Sequence, residues 1–154
     1  MRYQDQVVRQ TQKALDDICR AANAVPEEKH DWKPGGEARS VLGQMQEIAI
    51  SAGWLMPILT DGRIPEDDDP AFARMRENNT VEKCIEAARC STSEICQAIA
   101  EFPDVKLEDE MRMPFGGGIT MTMAEILSLH HWNMVYHLGQ INQVQLMLGD
   151  KVMH

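Results

Sequence analysis

The sequence predicts an all-α protein, a single four-helix bundle over residues 1–154 with a small β-hairpin-like insert before the last helix. Three observations carry that expectation. Four segments space their apolar residues three and four apart, which is the period of one helix face. Breaker-rich connectors separate them. Ahead of the fourth, residues alternate apolar and polar on both sides of a turn region at Gly116-Gly117-Gly118, which is the strand period.

The first helix runs from Tyr3 to Ala24 on the stripe Val7, Val8, Thr11, Ala14, Leu15, Ile18, Cys19 and Ala22. Pro26 closes it, and the connector from Val25 to Gly36 ends on Pro34-Gly35-Gly36, with Trp32 as its one large apolar anchor. The second helix starts at Ala38 or Ser40 and ends near Leu59, with Ser40 as N-cap and Leu42, Met45, Ile48, Ala49, Ala52, Leu55, Met56 and Leu59 facing inward. Pro57 is expected to loosen its last turn. The acidic loop from Thr60 to Pro70 carries Asp67, Asp68 and Asp69 but lacks the Gly and terminal Glu of a calcium loop, so we read it as solvated.

The third helix spans Thr80 to Phe102, opened by Asn79 or Thr80 with Glu82 in its first turn, and Cys84 and Cys96 are expected to face the core. The insert between Val105 and Met121 must lean on the bundle, because a two-stranded hairpin is marginal alone. The fourth helix opens on the capping box Thr122-Met-Ala-Glu125 and runs as one piece to Leu148, where Gly149 ends it.

Composition narrows the function. A net charge of −9 repels phosphate backbones and anionic lipid, so nucleic acid and membrane surfaces are not expected partners. No apolar run approaches the ~20 residues that span a bilayer, and the first ten residues show no apolar core behind a basic start, so the expected location is cytoplasmic. Cys19, Cys84, Cys90 and Cys96 form no C-x-x-C pair and read as core thiols. The 11 methionines suit a helix-packed core or an adaptable pocket.

The last helix carries the chemistry. Its stripe of Ile126, His130, Asn133, His137, Gln140 or Ile141, Val144 and Leu148 is apolar at both ends and polar in the middle. Buried polar groups cost ~1 to 3 kcal/mol each unless they are paired or bind something. Asn133 and His137, four apart, project to one side and have the spacing to chelate one ion. His130 lies about 10.5 Å along the axis from His137 at 1.5 Å per residue, which makes it a lesser ligand candidate or a group that acts behind the ligands. On the second helix, Glu47 interrupts the mostly apolar line of Gly43, Ile50 and Trp54.

The segment Val25-Pro-Glu-Glu-Lys-His-Asp-Trp-Lys-Pro-Gly-Gly-Glu-Ala-Arg-Ser40 and the motif His137-Leu-Gly-Gln140-Ile resemble the DinB/YfiT-like family of bacterial four-helix-bundle metalloenzymes, over essentially the whole chain. Members of that family typically hold a divalent metal, often nickel or zinc, with one histidine from the second helix and an H-x-x-x-H pair from the last. The resemblance places those ligands on Glu47, Asn133 and His137, of which only His137 keeps the residue type. A carboxylate is an acceptable ligand and an amide oxygen a weak one, so such a site is softer toward Mg, Mn or Ca and weaker toward Zn than three histidines.

Some members are transferases that use mycothiol, bacillithiol or glutathione. The resemblance therefore implies a divalent metal (Ni, Zn or Mn), a low-molecular-weight thiol or water as nucleophile, and a small-molecule electrophile as substrate. His130 would serve as proton shuttle or orienter and Gln140 as a hydrogen-bond donor near the site. A homodimer is expected by the same analogy. Two readings remain open: a metal-dependent transferase or hydrolase, and a bundle with a degenerate metal site that acts as a dimeric binding or interaction module.

Overall fold

The computed structural model describes residues 1–66, 73–74, 77–152 and 154. Its elements are α1 (Tyr3–Ala24), α2 (Val41–Asp61), α3 (Val81–Glu101), β1 (Glu110–Arg112), β2 (Thr120–Thr122), α4 (Met123–Leu127) and α5 (Leu129–Met147), with single 3-10 turns at Glu27–Lys29 and Asp104–Lys106. The acidic triplet Asp67, Asp68 and Asp69 lies outside the described residues. α1 packs on α3 and α5, and α2 packs on the same two, so α1 and α2 stand at opposite corners of the bundle.

Local chemistry sets most helix ends. Ser40 Oγ accepts from Gly43 N at 3.1 Å and Thr80 Oγ1 from Lys83 N at 3.2 Å, which satisfies a free N–H at the start of α2 and of α3. α2 continues through Pro57 to Asp61, two residues past the expected end, and stops where Gly62 takes φ 64°. The residue four before Pro57 is the exposed Gly53, so the carbonyl left unpaired by the missing proline N–H lies on the surface. Trp32 anchors the first connector against the core, as expected.

The hairpin pairs Glu110 with Thr122, Met111 with Met121 and Arg112 with Thr120. It leans on the bundle through Met113, which is wholly buried. Gly116, Gly117 and Gly118 all take positive φ at its tip. Gly118 takes φ +86°, a conformation that side chains with a Cβ rarely adopt, so the turn is built for glycine.

The last helix is not one piece. Thr122 and Glu125 form the expected capping box, but the helix breaks at Ser128 into α4 and α5. The cause is tertiary: the Tyr3 hydroxyl of α1 donates to Ala124 O at 2.7 Å, the carbonyl that Ser128 N would use in a continuous α-helix. Ser128 N bonds Glu125 O instead, and Ser128 Oγ lies 2.8 Å from the same tyrosine oxygen.

The core is two apolar clusters end to end. One gathers Ile18, Met45, Ile48, Cys84, Met134 and Ile141, the other Leu55, Ile95, Ile99, Ile126 and Leu127. Between them on α2, α3 and α5 lie Ser51, Thr92 and His130. Cys19, Cys84 and Cys96 are buried, whereas Cys90 is exposed on α3 and is not the core thiol the sequence suggested. No helix is long and apolar enough to cross a membrane among the described residues.

Candidate active-site cavity

A cavity of about 950 Å³ opens between α2, α5 and the hairpin. Glu47 and Asn133 line it together with Arg39, which precedes α2; Trp54, Phe115 and Trp132 supply aromatic wall. A smaller depression of about 300 Å³ beside Pro57 and Glu94 lies away from all of these groups.

The i, i+4 geometry of α5 and the antiparallel run of α2 bring Glu47 to His137. Glu47 Oε1 stands 3.2 Å from His137 Nε2, while Oε2 pairs with the Arg39 guanidinium. His137 is 2% exposed. Its Nδ1 faces two carbonyl oxygens, Gln140 Oε1 at 3.0 Å and Gln44 Oε1 at 3.3 Å, so that nitrogen carries the proton and donates. Nε2 is left as a bare lone pair, buried and without a hydrogen-bond partner, because its approach to Glu47 has the distance of an ion pair but not the alignment of a hydrogen bond.

Burial pushes the His137 imidazole down from 6.5 to about 4, against the raising effect of the Gln140 bond and with help from Arg39. It is therefore neutral at pH 7, and a lone pair faces a carboxylate. Two electron-rich atoms in that arrangement fit a cation between them. Asn133 is half-buried and lines the same cavity as Glu47, and its amide makes no hydrogen bond among the described residues. No group of three or more His, Cys, Asp or Glu side chains is placed to hold one ion among the described residues.

His130 stands apart from that pair although it borders the same cavity. It is 2% exposed, with Nδ1 at 2.8 Å from Ser51 Oγ and Nε2 at 2.8 Å from Thr92 Oγ1. Burial, and secondarily the neighbouring His131, pushes it down to about 4. Gln140 serves His137 as an acceptor rather than as a donor. On α5 the expected stripe holds at His130, His137, Ile141 and Val144, but in its middle Met134 is the buried residue and Asn133 is only half-buried.

Sequence reasoning missed Arg39, Gln44, Ser51 and Thr92. Gln44 and Thr92 left a signal, since each is a polar residue on an inward stripe, at Gln44-Ile48 and at Ala88-Thr92-Ile95-Ile99. Arg39 left none, because its role is set by a fold that turns the connector back over Glu47.

The chain shares its fold with solved structures. YfiT from Bacillus subtilis, described as a probable metal-dependent hydrolase with an unusual four-helix bundle topology, aligns at TM-score 0.76 and 14% identity over 95% of this chain and 87% of that one. A DinB-like protein, YjoA, from Bacillus subtilis aligns at TM-score 0.68 and 16% identity over 97% and 95%. A mycothiol-dependent maleylpyruvate isomerase aligns at TM-score 0.69 and 12% identity over 90% of this chain and 60% of its own. No curated protein matches the sequence. With the same bundle as these proteins and a family match that runs over residues 1–153, the chain belongs to the DinB family.

Proposed function

We propose that this chain is a divalent-metal-dependent enzyme that acts on a small electrophilic substrate with a metal-activated low-molecular-weight thiol or water. The observation that carries this reading is the buried, unpartnered Nε2 of His137 facing the Glu47 carboxylate. Glu47 and His137 are the two strong donors and Asn133 a weak neutral third. Gln44 and Gln140 hold Nδ1–H, which fixes the tautomer and keeps Nε2 aimed at Glu47. His130 is assigned an orienting role, since both its nitrogens tie α5 to hydroxyls of α2 and α3. A Ni, Zn or Mn ion held there would supply the acidification that makes a thiol or water nucleophilic at neutral pH.

The description of one structural neighbour as a probable metal-dependent hydrolase, and of another as mycothiol-dependent, agrees with this reading. Elemental analysis of tag-free protein tests it, beside Glu47→Ala and His137→Ala. About one equivalent of divalent ion in the wild type and little in either variant is expected. A wild-type protein that is metal-free and takes up none of Ni, Zn or Mn on titration would sink the proposal.

One observation favours the second reading, a dimeric interaction module. α5 carries no Asp, Glu, Lys or Arg, although such residues make up 25% of the chain. Trp132 and Tyr136 stack on its exposed face at 5.4 Å, and Val135, Leu146 and Met147 are exposed on the same helix. Two chains of charge −9 repel except across such an uncharged face, so the partner that fits is a second copy. Sedimentation equilibrium should find a dimer that Val135→Glu and Leu146→Glu dissociate; a monomeric wild type rejects this reading.

A further inference from the structure

We propose that the large cavity takes a hydrophobic molecule with one hydrogen-bond-accepting head, a carbonyl or carboxylate, the head directed to the Arg39, Glu47 and Asn133 end. As a statement about substrate class this rests on the metal-dependent reading; as a statement about binding it is testable without metal.

The argument comes from which polar groups of the cavity are free. Tyr3 and Ser128 are bonded to each other, and the tyrosine also to Ala124 O. Ser51 is engaged with Ile48 O and His130, and His130 with Thr92. Glu125 caps α4 through Thr122. A ligand therefore meets no open hydrogen-bond donor over most of the wall, where Ile50, Trp54, Phe115, Ile119 and Trp132 face it, and the carboxylate oxygen that Glu125 leaves out of its cap belongs to a solvent-exposed side chain. A polar body would lose its hydration there without replacement, whereas an apolar one gains ~25 cal/mol per Å² buried.

At the remaining end, among the described residues, the Asn133 amide makes no hydrogen bond, the half-exposed Arg39 guanidinium is paired with Glu47 Oε2, and Glu47 Oε1 is turned toward His137, which does not line the cavity. Asn133 Nδ2 and the Arg39 guanidinium donate, and the guanidinium offsets the Glu47 charge, so this end suits an accepting head. A volume of about 950 Å³ with apolar walls and few converging polar groups has the anatomy of a small-molecule site. Phe115, 39% exposed at the glycine-rich tip, sits 6.3 Å from Trp54 ring to ring, so the hairpin supplies the body-selecting wall.

The probes are octanoate (apolar body, carboxylate head), acetate (head alone) and octyltrimethylammonium (same body, cationic head). Binding is followed by tryptophan fluorescence, since Trp54 and Trp132 line the cavity. Metal-stripped protein and protein offered Ni, Zn or Mn are titrated in parallel. Octanoate should saturate at concentrations at least tenfold below acetate and below the cationic probe, in both preparations. Phe115→Asp, a substitution at a surface turn, should weaken octanoate at least tenfold with the circular dichroism spectrum unchanged. Octanoate binding no tighter than acetate overturns the proposal, and a cationic probe that binds as well as octanoate overturns the head assignment. Metal content is read separately: a metal-free protein that binds octanoate rejects only the metal site, and a metal-loaded one that ignores octanoate rejects only the ligand class.

Discussion

Acid should destabilise this bundle through His130 well above the range where carboxylates protonate. Burial holds its imidazole at about 4 in the folded chain, against an ordinary 6.5. Its neighbours are the hydroxyls of Ser51 and Thr92, neither of which carries a charge to stabilise an imidazolium. Between pH 6.5 and 4 the unfolded chain therefore binds a proton that the native chain refuses. Stability rises with pH across that window, is lost as pH falls through it, and levels off below about 4. A gap of about 2.5 units at ~1.4 kcal/mol per unit gives a loss of about 3 kcal/mol. Urea midpoints measured from pH 7.5 to 4 on the wild type and on His130→Gln read it directly. With a slope of ~1–3 kcal/mol per M, the wild-type midpoint should fall by about 1 to 3 M more than the variant's. Equal losses in the two proteins, or an NMR titration in which the His130 ring protonates near 6.5, would refute the argument that the site forbids its charge.

Other expectations follow from single contacts. Arg39→Ala releases the Glu47 carboxylate from its guanidinium and should tighten metal uptake, by no more than about fivefold because an exposed ion pair is worth ~1 kcal/mol or less. Indicator competition measures this, and weaker uptake would show that Arg39 positions Glu47 instead. Thr122→Ala removes one half of the capping box on α4 and should lower the unfolding free energy by about 1 kcal/mol in denaturant melts. An unchanged midpoint would mean that the bond from Met123 N to Asp109 O holds that end by itself. Of the four cysteines only Cys90 is exposed, while burial pushes the Cys84 and Cys96 thiols up to about 11. A thiol reagent should find one fast group in native protein, absent in Cys90→Ser, and the rest only in denaturant.

The sequence by itself determined what short-range physics decides. Apolar residues three and four apart place the helix faces, Ser40, Thr80 and Thr122 cap their own helices through N–H groups three residues on, and the alternation around three glycines makes the hairpin. Asn133 and His137 share one side of α5 by spacing alone, and Glu47 stood out as a carboxylate on an apolar line. Tertiary structure decided the rest. Tyr3, far away in the chain, takes the Ala124 carbonyl and breaks the last helix at Ser128. The same long-range packing turns Arg39 onto Glu47, aims Gln44 at His137 from another helix, and satisfies His130 with hydroxyls from α2 and α3. A periodicity records which face of a helix is buried, but the partner of a buried polar atom depends on the rotation and axial shift of the helix opposite, and no local pattern encodes those.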